Sequence, residues 1–109
     1  MSENYKVYEA TTPTALFRFS QDPLIYDVIQ ITFRRGPNKL IKRIDNGVLP
    51  EGITINDKLM SVTLSQEETL ILGSGIMRVQ IRAKRSGGKV KASSKFRIRI
   101  DSSLDKEIL

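Results

Sequence analysis

Residues 28–35 read "VIQITFRR", and every second side chain is apolar: Ile29, Ile31 and Phe33 fall on one side, Gln30, Thr32 and Arg34 on the other. Successive side chains leave a pleated chain on opposite faces, so a period of two marks a strand with one face in a core and one in water. The alternation recurs in "MRVQIRAK" (77–84), where Met77, Val79, Ile81 and Ala83 oppose Arg78, Gln80, Arg82 and Lys84. It recurs again in "KFRIRI" (95–100), where Phe96, Ile98 and Ile100 oppose Lys95, Arg97 and Arg99. Alternation this strict predicts half-buried antiparallel strands.

Working outward, weaker strand signals sit near 15–19, 39–44, 53–55 and 60–64. They are separated by turn residues at Gly36-Pro37-Asn38, Asp45-Asn46-Gly47, Pro50-Glu51-Gly52, Asn56-Asp57-Lys58, Gly73-Ser74-Gly75 and Ser86-Gly87-Gly88. About seven short strands spaced roughly ten residues apart is the pattern of an immunoglobulin-like antiparallel β-sandwich. Periodicity alone leaves a small barrel open. One stretch departs from it: "LSQEETLIL" (64–72) carries Ser65 as N-cap and Glu68 three positions on, a capping box that predicts a short helical turn bridging two sheets. The expected organisation is an arm over 1–14, an all-β sandwich over 15–100 and an acidic tail over 101–109. In the tail, Leu104, Ile108 and Leu109 could form an amphipathic turn.

The chain has 109 residues, long enough to bury a core without staples. It contains no Cys and no His, so disulfides, thiolate metal sites and thiol nucleophiles are excluded, along with the commonest general base. No apolar run exceeds three residues, so neither a membrane span nor a signal-peptide core is expected. The remaining carboxylates do not converge on a catalytic arrangement. Asp45, Glu51 and Asp57 sit singly in turns, and Glu67 and Glu68 would point about 100° apart on a helix. "GSG" (73–75) and "SGG" (86–88) lack the spacing of phosphate loops, and "DNG" and "NDK" lack the clustered oxygens of a calcium loop. The expectation is a protein with no catalytic site, no cofactor and no metal.

Charge is the remaining signal. The net charge is +6, unevenly placed: residues 34–43 hold five basic and no acidic side chains, and residues 69–100 hold nine basic and none acidic. Residues 1–33 carry two basic against four acidic side chains, and the tail 101–109 again turns acidic. Pairing 77–84 with 89–100 through Ser86-Gly87-Gly88 would give a hairpin with a cationic outer face. Like charges facing one another across strands repel, so such a face calls for full solvation or a counter-charge from a partner. Arg78, Arg82, Lys84, Arg97 and Arg99 are the candidate partner-binding residues. A solvated sheet face that also deters edge-to-edge aggregation is the foremost reading, and among partners an acidic protein surface ranks first. Nucleic acid ranks second, engaging Arg34, Arg35, Lys42 and Arg43 as well, because no aromatic side chains interleave with the cations as single-strand binding requires. A homo-oligomer is also expected at low salt, with the acidic tail or N-terminal third meeting the cationic segment of a neighbouring copy.

Four stretches, Tyr26–Arg35, Val62–Leu70, Val79–Arg82 and Gly88–Phe96, follow one another as in a known group of phage proteins. Their order resembles the immunoglobulin-like N-terminal module of upper baseplate proteins of phages of Gram-positive bacteria, and related small phage and prophage proteins. The resemblance runs over about residues 24–100: a tyrosine-led strand, "VTLSQEET" (62–69), "VQIR" (79–82) and a Gly-Lys hairpin ending at Phe96. It implies a non-enzymatic virion structural or accessory protein, an assembly module whose partners are tail or baseplate proteins. It also implies residence in the host cytoplasm during assembly and then in the virion. A small basic nucleic-acid-binding protein is the alternative.

Overall fold

The structure, a computed structural model, describes residues 5–85, 87–93 and 95–109. Ser86 of the expected hairpin turn and residues 1–4 of the expected arm lie outside that set. The three strictly alternating stretches become β3 (Val28–Arg35), β7 (Gly75–Lys84) and β9 (Phe96–Asp101). Burial follows the alternation: Ile29, Ile31, Phe33, Met77, Val79, Ile81, Ile98 and Ile100 are all buried, and the residues between them reach the surface.

The other strands are β1 (Tyr5–Tyr8), β2 (Thr14–Arg18), β4 (Asn38–Asp45), β5 (Ile53–Asn56), β6 (Leu59–Thr63) and β8 (Val90–Ala92). They form two sheets. The larger runs β1-β9-β7-β3-β4, with β8 also on β7, and the smaller runs β2-β6-β5. All pairings are antiparallel except β1 with β9. The protein is an all-β sandwich, not a barrel. β2, β6 and β5 take the places of strands B, E and D of an immunoglobulin sandwich, and β9, β7, β3 and β4 those of G, F, C and C′. The smaller sheet presents Phe17, Met60, Val62 and Ile53 to the larger, closing one apolar core.

Two strands exceed the expected set. Residues 5–8 have no core pattern, yet β1 lies parallel against β9, with Val7 half-buried opposite Ile100. The stretch 89–100 divides because its register with β7 slips by one residue between the pairs Arg82–Ala92 and Val79–Phe96. This is a β-bulge. Ser93 tethers it: its N–H donates to Ile81 O (2.8 Å), its hydroxyl accepts from Ile81 N (3.0 Å), and its carbonyl accepts from Gln80 Nε2 (3.0 Å). The extra residue reverses the phase of the chain. In β8 the odd-numbered Lys91 pairs with buried Ala83, whereas in β9 the even-numbered Phe96 pairs with buried Val79. Without the bulge, Arg97 and Arg99 would face the core.

The helical turn forms as α1 (Gln66–Leu72), linking β6 of one sheet to β7 of the other. Both capping-box bonds are present: Glu68 N donates to Ser65 Oγ (3.1 Å), and Ser65 N donates to Glu68 Oε1 (2.8 Å). At the far end, Arg35 Nε (2.5 Å) and Asn38 Nδ2 (3.1 Å) both donate to Leu72 O. Lys42 Nζ lies 3.1 Å from Glu68 Oε2, tying α1 to β4. Burial pushes the Glu68 carboxyl up, but the Ser65 backbone N–H, Lys42 and the Ser65 hydroxyl together pull it below its ordinary 4.5. A depressed carboxylate stabilises the fold above its unfolded value, and that contribution drains away as pH falls below about 4.5 towards the folded value. Glu68→Gln keeps an acceptor for the cap but removes the charge. Its deficit in urea midpoint against the parent protein is therefore expected at pH 7 and should shrink by pH 3. Ser65→Ala is expected to cost about 1 kcal/mol at both pH values.

The tail 101–109 folds back on its own domain. Ser103 Oγ donates to Glu9 O (2.6 Å), and the Gln66 side-chain amide brackets Leu109, donating to its O (3.1 Å) and accepting from its N (2.8 Å). Glu9 is buried, and its Oε1 accepts no hydrogen bond among the described residues. Lys106 Nζ stands 3.2 Å from that oxygen and supplies the opposing charge.

Candidate functional site

The outer face of the larger sheet collects the cations. Strand register carries Arg97 of β9 opposite Arg78 of β7, Arg78 opposite Arg34 of β3, and Arg34 opposite Lys39 of β4. Four cations thus stand in one row across four strands. With strands about 4.8 Å apart, the row is roughly 14 Å long. All four side chains are exposed. Among the described residues none of them forms an ion pair, and Arg34 only returns its Nε to the Gly36 carbonyl (3.3 Å). Exposed apolar side chains flank the row on the same face: Ile76 one step along β7, and Ile41 one step along β4.

The five residues singled out from sequence do not all join this row. Arg78 stands inside it and Arg97 at its β9 end. Arg82 lies one step beyond Gln80, beside Gln30 on β3, across which stands Arg43. Lys84 closes β7 opposite Val28 and Val90, away from the other cations of the row. Arg99 is already compensated: its Nε donates to Asp101 Oδ1 (2.8 Å), and Lys6 Nζ sits 3.5 Å from the other oxygen. The Arg99 hydrogen bond, aided by Lys6, holds the Asp101 carboxyl below its ordinary range.

The second set offered from sequence also divides. Arg34 belongs to the row. Arg35 and Lys42 lie on the opposite phase of their strands and hold α1 in place. Arg43 donates to Asp45 Oδ1 (3.1 Å) on its own strand. Sequence reasoning passed over Lys39, because "NKLIKRID" (38–45) has no readable phase. Ile41 faces out and Lys42 faces in.

The carboxylates are dispersed. Glu68 caps α1, Glu67 is exposed in its first turn, and Asp45, Glu51 and Asp57 remain at turns. Among the described residues no three His, Cys, Asp or Glu side chains gather where a metal ion could be held, and no helix is long and apolar enough to cross a membrane. The chain matches no model of a known protein family and no curated protein.

Proposed function

We propose that this protein is a non-enzymatic assembly module of a phage or prophage tail or baseplate, docking onto an acidic neighbouring protein through the outer face of its larger sheet. The observation that carries the docking is the row Arg97, Arg78, Arg34 and Lys39, without an ion-pair partner among the described residues and flanked by exposed Ile76 and Ile41. Arginines beside apolar side chains are the composition of protein interfaces. A phosphate backbone would engage the cations and leave the two isoleucines unused, and no aromatic side chain stands among them for base stacking. The virion setting rests on the resemblance over residues 24–100.

In this reading the chain is made in the host cytoplasm and carried into the particle. Purified particles of the source phage should contain it, and washing them through rising salt should release it, since exposed charge pairs weaken as the Debye length shortens to about 3 Å near 1 M. Particles that lack the protein, together with a duplex or single-stranded DNA mobility shift at low salt, would overturn the reading in favour of nucleic acid.

A further inference from the structure

The sandwich is open along one side. There a cleft of about 1020 Å³ enters between the sheets, walled by β2 on the smaller sheet and by β8 and the start of β9 on the larger. Its floor is apolar, with Phe33, Val62 and Met77 at depth and Phe17 tilted against Phe96 at 5.5 Å. Its mouth carries Arg18, Lys91 and Lys95, all exposed, and no carboxylate among the described residues lines it.

One wall is an unpaired strand edge. β2 is the terminal strand of its sheet and pairs only with β6 among the described residues. Leu64 N donates to Pro13 O (3.0 Å) and Phe19 N to Lys58 O (2.8 Å). Because antiparallel pairs alternate between bonded and non-bonded residues, the odd-numbered residues 13–19 turn their main-chain groups to β6. Thr14, Leu16 and Arg18 therefore turn their N–H and C=O groups outward along the edge of the cleft.

We propose that this cleft receives an extended segment of a partner protein, with alternating apolar and acidic side chains, which adds as a strand to the free edge of β2. Main-chain bonds to Thr14, Leu16 and Arg18 would supply the register, and every second side chain would enter the apolar floor. The acidic side chains would meet the cations at the mouth. A fatty acid would use the floor and the cations but leave the strand edge unsatisfied. A second copy of this chain fits poorly, because its net charge is +6 and its acidic tail is held at home by Gln66 and by the Glu9–Lys106 pair. The cleft opens between the sheets and the cationic row lies on the outer face; Arg97 borders both, but Leu16, Lys91 and Lys95 belong to the cleft alone, so either site can fail alone.

The test uses a fluorescein-labelled peptide of alternating Val and Glu, with an alternating Val and Lys peptide as control. Titration should show binding of the Glu peptide only, and hydrogen exchange should slow at the Thr14, Leu16 and Arg18 amides. Leu16→Pro removes one outward N–H at an edge where proline is tolerated, and should weaken binding about tenfold. Reversal of the exposed pair Lys91→Glu and Lys95→Glu should weaken it as well, in case the proline variant folds poorly. Equal binding of the two peptides, or protection that bypasses those three amides while dodecanoate or a second copy fills the cleft, overturns the proposal.

Discussion

Replacing Phe33 by Ala is expected to cost about 3–5 kcal/mol, a large part of the roughly 5–15 kcal/mol that holds a domain together. Phe33 is 1% exposed and sits on β3, the strand flanked by β7 and β4 within the larger sheet. Its register partners are Leu40 and Val79, and its ring faces the smaller sheet across the floor of the cleft. Truncation removes the transfer free energy of the ring and leaves a void that two hydrogen-bonded neighbours cannot collapse to fill. Phe96 provides the contrast. It touches Phe17 but is 41% exposed at the mouth of the cleft, so Phe96→Ala should cost well under half as much. Urea unfolding of both variants measures the difference. A Phe33→Ala cost no greater than that of Phe96→Ala would show that the β3 apolar face is not the core.

The strands that were legible in the sequence are those with one face in the core and one in water, because only they alternate. β3, β7 and β9 each display that contrast directly. β1 does not, since its four residues place only Val7 near the core and its stability comes from parallel pairing with β9. β4 conceals its phase because Lys42 points inward to meet Glu68 while Ile41 points out. The helix was readable for a different reason. A capping box is a local device, and its two partners lie three residues apart.

The cationic site was legible in kind but not in arrangement. Arg78 and Arg97 stand out because β7 and β9 alternate. Their alignment with Arg34 and Lys39 depends on β7 lying beside the β3–β4 hairpin, which brings Arg78 opposite Arg34 from a distant part of the chain. The register slip between Ala92 and Phe96 is equally hidden, because a slip of one residue has no periodic signature, although it decides which way Arg97 and Arg99 point. Compensation, by contrast, was legible: Arg99 and Arg43 each have an aspartate two residues along the same strand face, and Arg78 does not. The folded tail instead depends on Gln66 and Glu9, far away in the chain.

Reversing Arg78 to Glu separates the cost of the cationic row from its use. Arg78 has Arg97 on one side and Arg34 on the other, with no acidic partner among the described residues. Directly opposed like charges destabilise a sheet, so a carboxylate between two guanidinium groups should stabilise the free protein, by about 0.5–1 kcal/mol. The position is exposed and outward, so no packing is lost to mask this gain. Docking should move the other way. If this face docks onto an acidic partner as proposed, a negative charge within the row replaces an attraction by a repulsion, and binding should fall by at least about a hundredfold, or roughly 3 kcal/mol. Arg82→Glu, one step off the row, should show a smaller loss. Unfolding midpoints and incorporation into particles, measured on the same two variants, test both signs at once. Raised stability with undiminished incorporation would mean that the row is a solvated surface and that docking lies elsewhere. Lowered stability would mean that the repulsion inferred from the register is already relieved by water and salt. A charge row that costs the free sheet stability and is needed for incorporation would be the physical signature of a surface that serves a partner.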